Sequence, residues 1–393
     1  MKRIISVACI VAAITAINAQ SSVDQLHKAQ KAVEEARRST APDARQAVYD
    51  VKAYIDGEGC LTVGGIVSEK SSRDALITSL EALGIDYADS IRLYPSDRWA
   101  MTRIPAASHR TAGRHSAEMA TQSVLGTPLR LLEKGKEWWR VQTPDGYIAY
   151  IPSSSAVELS DEQMRKWRKS RRFIVTSPYQ IRVYRNADSE GLREVVTDLV
   201  NGCIVTAAGG FPSVVNEKLN IELPDGRTGY VETGFLTPIE EWAAQDFNAD
   251  KILDMAYSME GTPYLWGGMS TKALDCSGLA KVSYYANGII LMRDASQQAK
   301  TGTRINAADW RTCRAGDLLF FGNASTGKVT HVAIYDRNGN YVHSSGRVKR
   351  NSVDPESESY LTTPFLHAVR IAGNEETDGI IRARNHPWYF DKE

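Results

Sequence analysis

The sequence is short of the groups that would tie a protein to a metal, a polyanion or a bilayer. Of 393 residues only five are cysteine and seven histidine, and no Cys-x-x-Cys pair occurs. That spacing gives no thiolate metal site, and no cofactor is expected. Five scattered cysteines also exclude a disulfide framework at this length, while leaving room for one or two bridges and for a free thiol. Neither sign of charge is in excess, with 47 Lys+Arg against 47 Asp+Glu. Such a balance offers no grip on nucleic acid or on polyanionic polymers. Long apolar runs are missing too. Residues 4–14 are too short to span a membrane, and no later stretch is longer.

That short run has a meaning of its own. Lys2 and Arg3 precede it and Ile17-Asn18-Ala19 follows it, the pattern of a secretory leader over residues 1–19. The protein is therefore expected to be exported, to the periplasm or beyond the cell. Losing Lys2 and Arg3 takes the basic count from 47 to 45 against 47 acidic residues.

The remaining chain is long enough for several domains. Residues 20–97 read as a polar helix followed by strand, strand, helix and strand, a small α+β unit that carries no evident chemistry. Two β-rich segments follow, over 98–160 and 170–240. In the first, a strand enters Pro144-Asp145-Gly146 and another leaves it; in the second, Pro224-Asp225-Gly226 does the same 80 residues later. Each reads as a hairpin late in its own copy. A charged helix over 160–169 joins the copies, and residues 238–245 form a linker. From 246 to 385 the pattern changes. Asn248 caps a helix with one apolar face, a glycine-aromatic turn occupies 261–268, and Cys276 opens a second helix that Asn287-Gly288 ends. Strands at 314–321, 331–335, 340–343 and 365–371 come after. Helices followed by strands indicate an α+β domain.

Asp275-Cys276-Ser277-Gly278 puts a thiol at a helix N-terminus, where unpaired N–H groups and the helix dipole are expected to lower its pKa. Alone, such a cysteine is more often a small buried apolar residue. A nucleophile also needs a base and a group to orient it. His27 lies in the polar leader helix, His109 and His115 in a polar loop, His367 late in the sheet and His386 in the tail. His331 and His343 remain, on adjacent strands of the Cys276 domain. Side chains alternate along a strand, so both can face one point only if the paired residue numbers add to an even sum. A two-residue turn at Asn338-Gly339 would make that sum odd. The connection is therefore expected to hold three residues or a bulge.

Six motifs, namely 261–268, Asp275-Cys276-Ser277-Gly278, 293–298, 316–321, His331-Val-Ala and His343, resemble in order those of the NlpC-type cell-wall cysteine peptidases. The resemblance runs over about residues 245–372, and the paired β-rich segments resemble bacterial SH3-like barrels. It implies a papain-like domain preceded by two such barrels, and a gamma-D-glutamyl-L-diamino acid endopeptidase of the dipeptidyl-peptidase VI type. Its substrates would be peptidoglycan stem peptides, L-Ala-gamma-D-Glu-diamino acid, with either meso-diaminopimelate or L-lysine third. By the same resemblance Cys276 attacks, His331 is base and then acid, His343 orients His331, and Tyr264 stands beside the thiol. Asp275 and Ser277 would bind the substrate's amino terminus and backbone, and Arg293 a carboxylate. Glu118 would meet the substrate ammonium, with Tyr147 as pocket wall. Met292 stands where the family usually has proline. Two other readings compete: an amidase or acyltransferase on the same fold, and a wall-binding protein without catalysis.

Overall fold

The computed structural model describes the backbone of residues 4–391 and the side chains of residues 22–391. The leader expected over residues 1–19 therefore lies outside the fully described residues. Among the described residues, no helix is long and apolar enough to cross a membrane. The chain divides into two compact units, Met1–Ser96 and Asp97–Glu393.

The first unit is a three-stranded sheet with two helices. Its central strand, Leu61–Val67, runs antiparallel to Tyr49–Ile55 and parallel to Ala88–Leu93. A parallel pair needs a crossover, which the helix Lys70–Ala82 supplies. That helix buries Leu76 and Leu80 completely, while Ala29, Ala32, Val33 and Ala36 form one stripe of the helix Ile4–Thr40.

The second unit opens with two antiparallel sheets of seven and eight strands, one for each β-rich segment. Their Pro-Asp-Gly turns close in the same way. The Gly146 N–H donates to Thr143 O and the Gly226 N–H to Leu223 O, with φ of 83° and 82° at the two glycines. Only glycine adopts that conformation without strain. The two aspartates hold different things. Asp225 pairs with Arg103 of the first sheet's segment at 3.0 Å, and Asp145 pairs with Lys281 of the C-terminal domain at 2.8 Å. The expected loop position of His109 needs correcting. It lies on the strand Ala106–Arg110, fully buried, bonded through Nε2 to Ser123 Oγ at 2.7 Å.

In the C-terminal domain two helices, α1 (Ala249–Ser258) and α2 (Cys276–Tyr285), pack on a six-stranded sheet. Its strands are β1 (Thr303–Asn306), β2 (Leu318–Gly322), β3 (Val329–Tyr335), β4 (Asn340–Ser345), β5 (Arg347–Ser352) and β6 (Phe365–Arg370), in the order β1-β6-β2-β3-β4-β5. Asn248 caps α1, its Oδ1 accepting the Lys251 N–H at 3.0 Å. Leu318, Phe320, Val332, Ile334 and Val342 alternate along the strands and share one core with Ile252, Leu253, Leu279 and Ala280 of the helices. Each such leucine, isoleucine or valine stabilises the fold by about 1.5–3 kcal/mol. Every residue of α2 from Cys276 to Tyr284 is buried, so Lys281 is carried inside with the rest. The edge strands β1 and β5 were not expected. Arg347-Val-Lys-Arg-Asn-Ser holds one apolar residue, which gives no alternation to read.

Residues 336–339 connect β3 to β4, and three of them, 337–339, lie beyond the last hydrogen-bonded pair. Tyr335 pairs with Tyr341 and Ile334 with Val342, while the Asp336 N–H donates to Asn340 O. Asn338 and Gly339 take φ of 55° and 82°. The even register leaves His331 and His343 on the same side of the sheet.

Candidate active site

The site is assembled on the first turn of α2. Asp275 is its N-cap: Oδ1 accepts the Gly278 N–H at 2.6 Å, and Oδ2 accepts the Gly267 N–H at 2.9 Å. One carboxylate thus ties the glycine-rich turn to the helix that carries Cys276. Gly278 has to be glycine, because a Cβ there would lie 2.1 Å from Gly268 O.

Arg293 completes this mount. It donates to both Asp275 oxygens at 3.1 and 2.6 Å, to Ser277 Oγ at 2.8 Å, and to Thr121 Oγ1 of the first barrel at 2.9 Å. A guanidinium fork matches a carboxylate in this bidentate way. The sequence suggests Arg293 for a substrate carboxylate, and Asp275 and Ser277 for the substrate's amine and backbone. Here all three are spent on one another inside the protein, at 1 %, 6 % and 4 % exposure. A buried charge must be paired, and Asp275 and Arg293 pair each other.

His331 Nε2 lies 2.7 Å from His343 Nδ1, with the rings edge to face. His343 Nε2 in turn lies 2.9 Å from Asn351 Oδ1, on β5. Cys276 meets β3 at Val332, the residue after His331, whose N–H points to the sulfur. Burial, then the Asp275 carboxylate, push the Cys276 thiol up to about 11; the Val332 N–H and Arg293 pull it back only in part. Burial first, then His343 and Lys349, hold His331 down to about 3, and burial holds His343 at about 4. Thiol and imidazoles therefore rest neutral. The lowered thiol pKa expected from the helix terminus does not materialise, and magnitudes say why. Raising a thiol from 9 to about 11 takes roughly 3 kcal/mol. A helix N-terminus returns about 0.3–1 kcal/mol.

Tyr264 is half-buried near the thiol, its hydroxyl pKa raised by burial and then by Cys276 and Asp275. The first barrel closes on the same place. Its strand Met119–Val124 lies against the glycine turn: a Cβ on Gly267 would fall 2.7 Å from Met119 O, and Gln122 Oε1 accepts the Met269 N–H at 2.9 Å. Glu118 is exposed immediately before this strand. Tyr147 is only 7 % exposed, with its hydroxyl 3.4 Å from Asp294 Oδ2. It sits where the barrel joins the C-terminal domain, rather than in the barrel's own core.

Thr121, Lys281, Asp145 and Asn351 belong to this architecture and escape sequence reasoning. Only the repeated Pro-Asp-Gly turn hints at one of them. Cys60, Cys203, Cys276 and Cys313 are all free thiols, so none of the bridges left open by the sequence forms among them. No cluster of potential metal ligands occurs among the described residues.

Comparison with known proteins agrees with this arrangement. Residues 261–370 match the NlpC/P60 family and residues 109–155 the bacterial dipeptidyl-peptidase Sh3 domain. Dipeptidyl-peptidase 6 of Lysinibacillus sphaericus is 26% identical over 250 residues, which is 62% of this chain and 88% of that protein. The gamma-D-glutamyl-L-lysine dipeptidyl-peptidase of Bacillus cereus is 26% identical over 264 residues, 64% of this chain and 74% of its own length. A crystal structure of an NlpC/P60 family protein from Bacillus cereus superposes with a TM-score of 0.58 at 20% identity, over 70% of this chain and 99% of that one, and so shares the fold. The probable endopeptidase NlpC of Escherichia coli is 38% identical over 121 residues, 30% of this chain and 75% of that protein. On this evidence the chain belongs to the NlpC/P60 family and is a cysteine peptidase.

Proposed function

We propose that the enzyme hydrolyses the gamma-D-glutamyl-L-diamino acid bond of peptidoglycan stem peptides outside the cytoplasm and prefers peptides whose N-terminal L-Ala is free. The observation that carries this reading is the docking of the first barrel's strand Met119–Val124 on the turn that mounts Cys276. It places an exposed carboxylate, Glu118, next to a strand that abuts the nucleophile's own support. The name of one relative, gamma-D-glutamyl-L-lysine dipeptidyl-peptidase, points to the same kind of bond.

In this reading the Cys276 sulfur attacks the gamma-carbonyl carbon while the thiol proton passes to His331. The Cys276 backbone N–H, at the first position of α2, stabilises the oxyanion. His331 then returns the proton to the departing amine of the diamino acid, leaving a thioester. Water, deprotonated by the same imidazole, cleaves the thioester, frees L-Ala-gamma-D-Glu and restores the thiol. Asp275, Ser277 and Arg293 hold the helix start. Glu118 pairs with the substrate ammonium and Tyr147 backs the pocket. An acylated or sugar-linked alanine has no charge to offer that carboxylate, which disfavours it.

The test is mass spectrometry of L-Ala-gamma-D-Glu-L-Lys and of its meso-diaminopimelate counterpart, each with free and with acetylated N-terminus. Release of L-Ala-gamma-D-Glu from the free forms, lost in Cys276→Ala, is expected. Equal cleavage of the acetylated forms would sink the Glu118 role, and no cleavage of any form would sink the substrate.

A further inference from the structure

We propose that Asn351, on the edge strand β5, is a positioning residue that fixes the tautomers of both histidines and so leaves His331 Nδ1 as the lone-pair nitrogen available to the Cys276 thiol. This rests on the reading of His331 as the base.

The chain of reasoning runs inward from a backbone carbonyl. Asn351 Nδ2 donates to Ser359 O at 2.9 Å. A carbonyl only accepts, so the amide's NH2 faces Ser359 and its oxygen faces the site. Asn351 Oδ1, an acceptor, lies 2.9 Å from His343 Nε2, which must therefore carry the hydrogen. In a neutral imidazole the other nitrogen is then an acceptor. That nitrogen, His343 Nδ1, lies 2.7 Å from His331 Nε2, which must donate in its turn. His331 Nδ1 is left with its lone pair and makes no hydrogen bond among the described residues. Reversing the Asn351 amide would set its oxygen against the Ser359 carbonyl oxygen, two acceptors facing one another. Each member of the relay thus has a single role.

The placement follows from the sheet. Asn351 is opposite Tyr341 and diagonal to His343, two residues along the same face, a distance a side-chain amide can span. Tyr341 stacks edge-on against His343 and walls the relay. Ser359 O is itself held by the Ser352 N–H at 3.0 Å, so the anchor is backbone on both sides. The charged and titratable groups that act on the two imidazoles are Lys349 on β5, opposite His343 in register, Asp275 at the start of α2, and Tyr341 on β4, which stacks on His343. Among the described residues, the hydrogen-bond partner of the outer nitrogen of His343 is Asn351 Oδ1.

Asparagine also differs from a carboxylate here in its chemistry. An amide oxygen orients the ring, and although its hydrogen bond raises the His343 pKa, burial outweighs it and the relay stays neutral. Aspartate would make the same contact and add a charge.

Nitrogen-15 spectra of histidine-labelled protein at neutral pH report the tautomers directly and need no substrate. Hydrogen on Nε2 of both His331 and His343 is expected in the wild type; hydrogen on Nδ1 of His331 would overturn the proposal. Asn351→Leu should lower kcat for stem tripeptides about tenfold to a hundredfold, the range lost when a partner that orients a functional histidine is removed, with KM within about twofold. Unchanged kcat with unchanged tautomers would also overturn it. Asn351→Asp should keep the tautomers but move the acid limb of the pH profile to higher pH, which loss of packing alone would not do. The pH dependence of Cys276 alkylation by iodoacetamide, read on the Cys276 peptide, should shift likewise. If the tripeptides prove not to be substrates, the tautomers and the alkylation profile still decide the matter. If Asn351→Leu fails to fold, the wild-type spectra and Asn351→Asp do.

Discussion

The ion pair between Asp145 and Lys281 makes the sharpest claim about how the first barrel is held on the peptidase domain. Lys281 Nζ lies 2.8 Å from Asp145 Oδ2, and the two side chains are 6 % and 8 % exposed. Burial works against the Asp145 charge, but the Lys281 ammonium and the Thr143 hydroxyl outweigh it and hold the carboxyl below its usual range. Lys281 also donates to Leu291 O at 2.5 Å. Asp145→Asn removes the countercharge and leaves an ammonium buried among apolar neighbours. Breaking a buried pair from one side costs about 3–5 kcal/mol, whereas replacing both partners by apolar groups of similar volume is often neutral. Asp145→Asn and Lys281→Met alone should each lower stability by about that amount, and Asp145→Leu with Lys281→Met should recover most of it. Urea denaturation of the wild type, Asp145→Leu, Lys281→Met and their double variant, followed by tryptophan fluorescence, gives the coupling between the sites, and Asp145→Asn gives the cost of removing the charge alone. The single variants should also raise KM for stem tripeptides if the barrel contributes Tyr147 and Glu118 to the pocket as proposed. A loss below about 0.5 kcal/mol for Asp145→Asn, or a double variant as unstable as the two losses combined, would refute the reasoning.

Three other outcomes are expected. Arg293→Met leaves Asp275 charged and unpaired, so it should cost about 3–5 kcal/mol by denaturation; Arg293→Lys, which cannot reproduce the fork, should fall between the two. His109 and His343 are held near 4 and His331 near 3, so the unfolded chain binds protons below about 6.5 that the native protein refuses. The stability they give is complete above 6.5 and drains as pH falls toward 4, by up to about 1.4 kcal/mol per pH unit for each histidine; flat denaturation midpoints between pH 7 and pH 5 would contradict this. Glu118→Gln should raise KM for the free stem tripeptide about tenfold and leave the acetylated peptide unchanged, measured by product release.

What was legible in the sequence was what local pattern can carry. The alternation around Pro144-Asp145-Gly146 and Pro224-Asp225-Gly226 gave both hairpins, and Asn248 gave a helix start that the structure caps as expected. Parity required either a three-residue loop or a bulge to turn His331 and His343 to the same side, because a strand has a period of two, and the structure has three residues beyond the Asp336–Asn340 pair. The edge strands were lost because one apolar residue in six carries no period, and with β5 went Asn351.

The sequence by itself determined which side chains could do chemistry: one cysteine opening a helix, and two histidines on neighbouring strands. Tertiary structure alone decided the charge states and the assignments around them. Burial overrode the helix terminus at Cys276, since desolvation depends on everything packed around a group and the dipole only on its own helix. Arg293 and Asp275, each suggestive alone, neutralise one another because the fold brings them within 2.6 Å. The turn aspartates of the repeat look alike in sequence, yet Asp225 reaches the neighbouring barrel and Asp145 the peptidase domain. Their roles differ because a turn fixes the direction of its side chain, and only the rest of the fold determines what lies there to meet it.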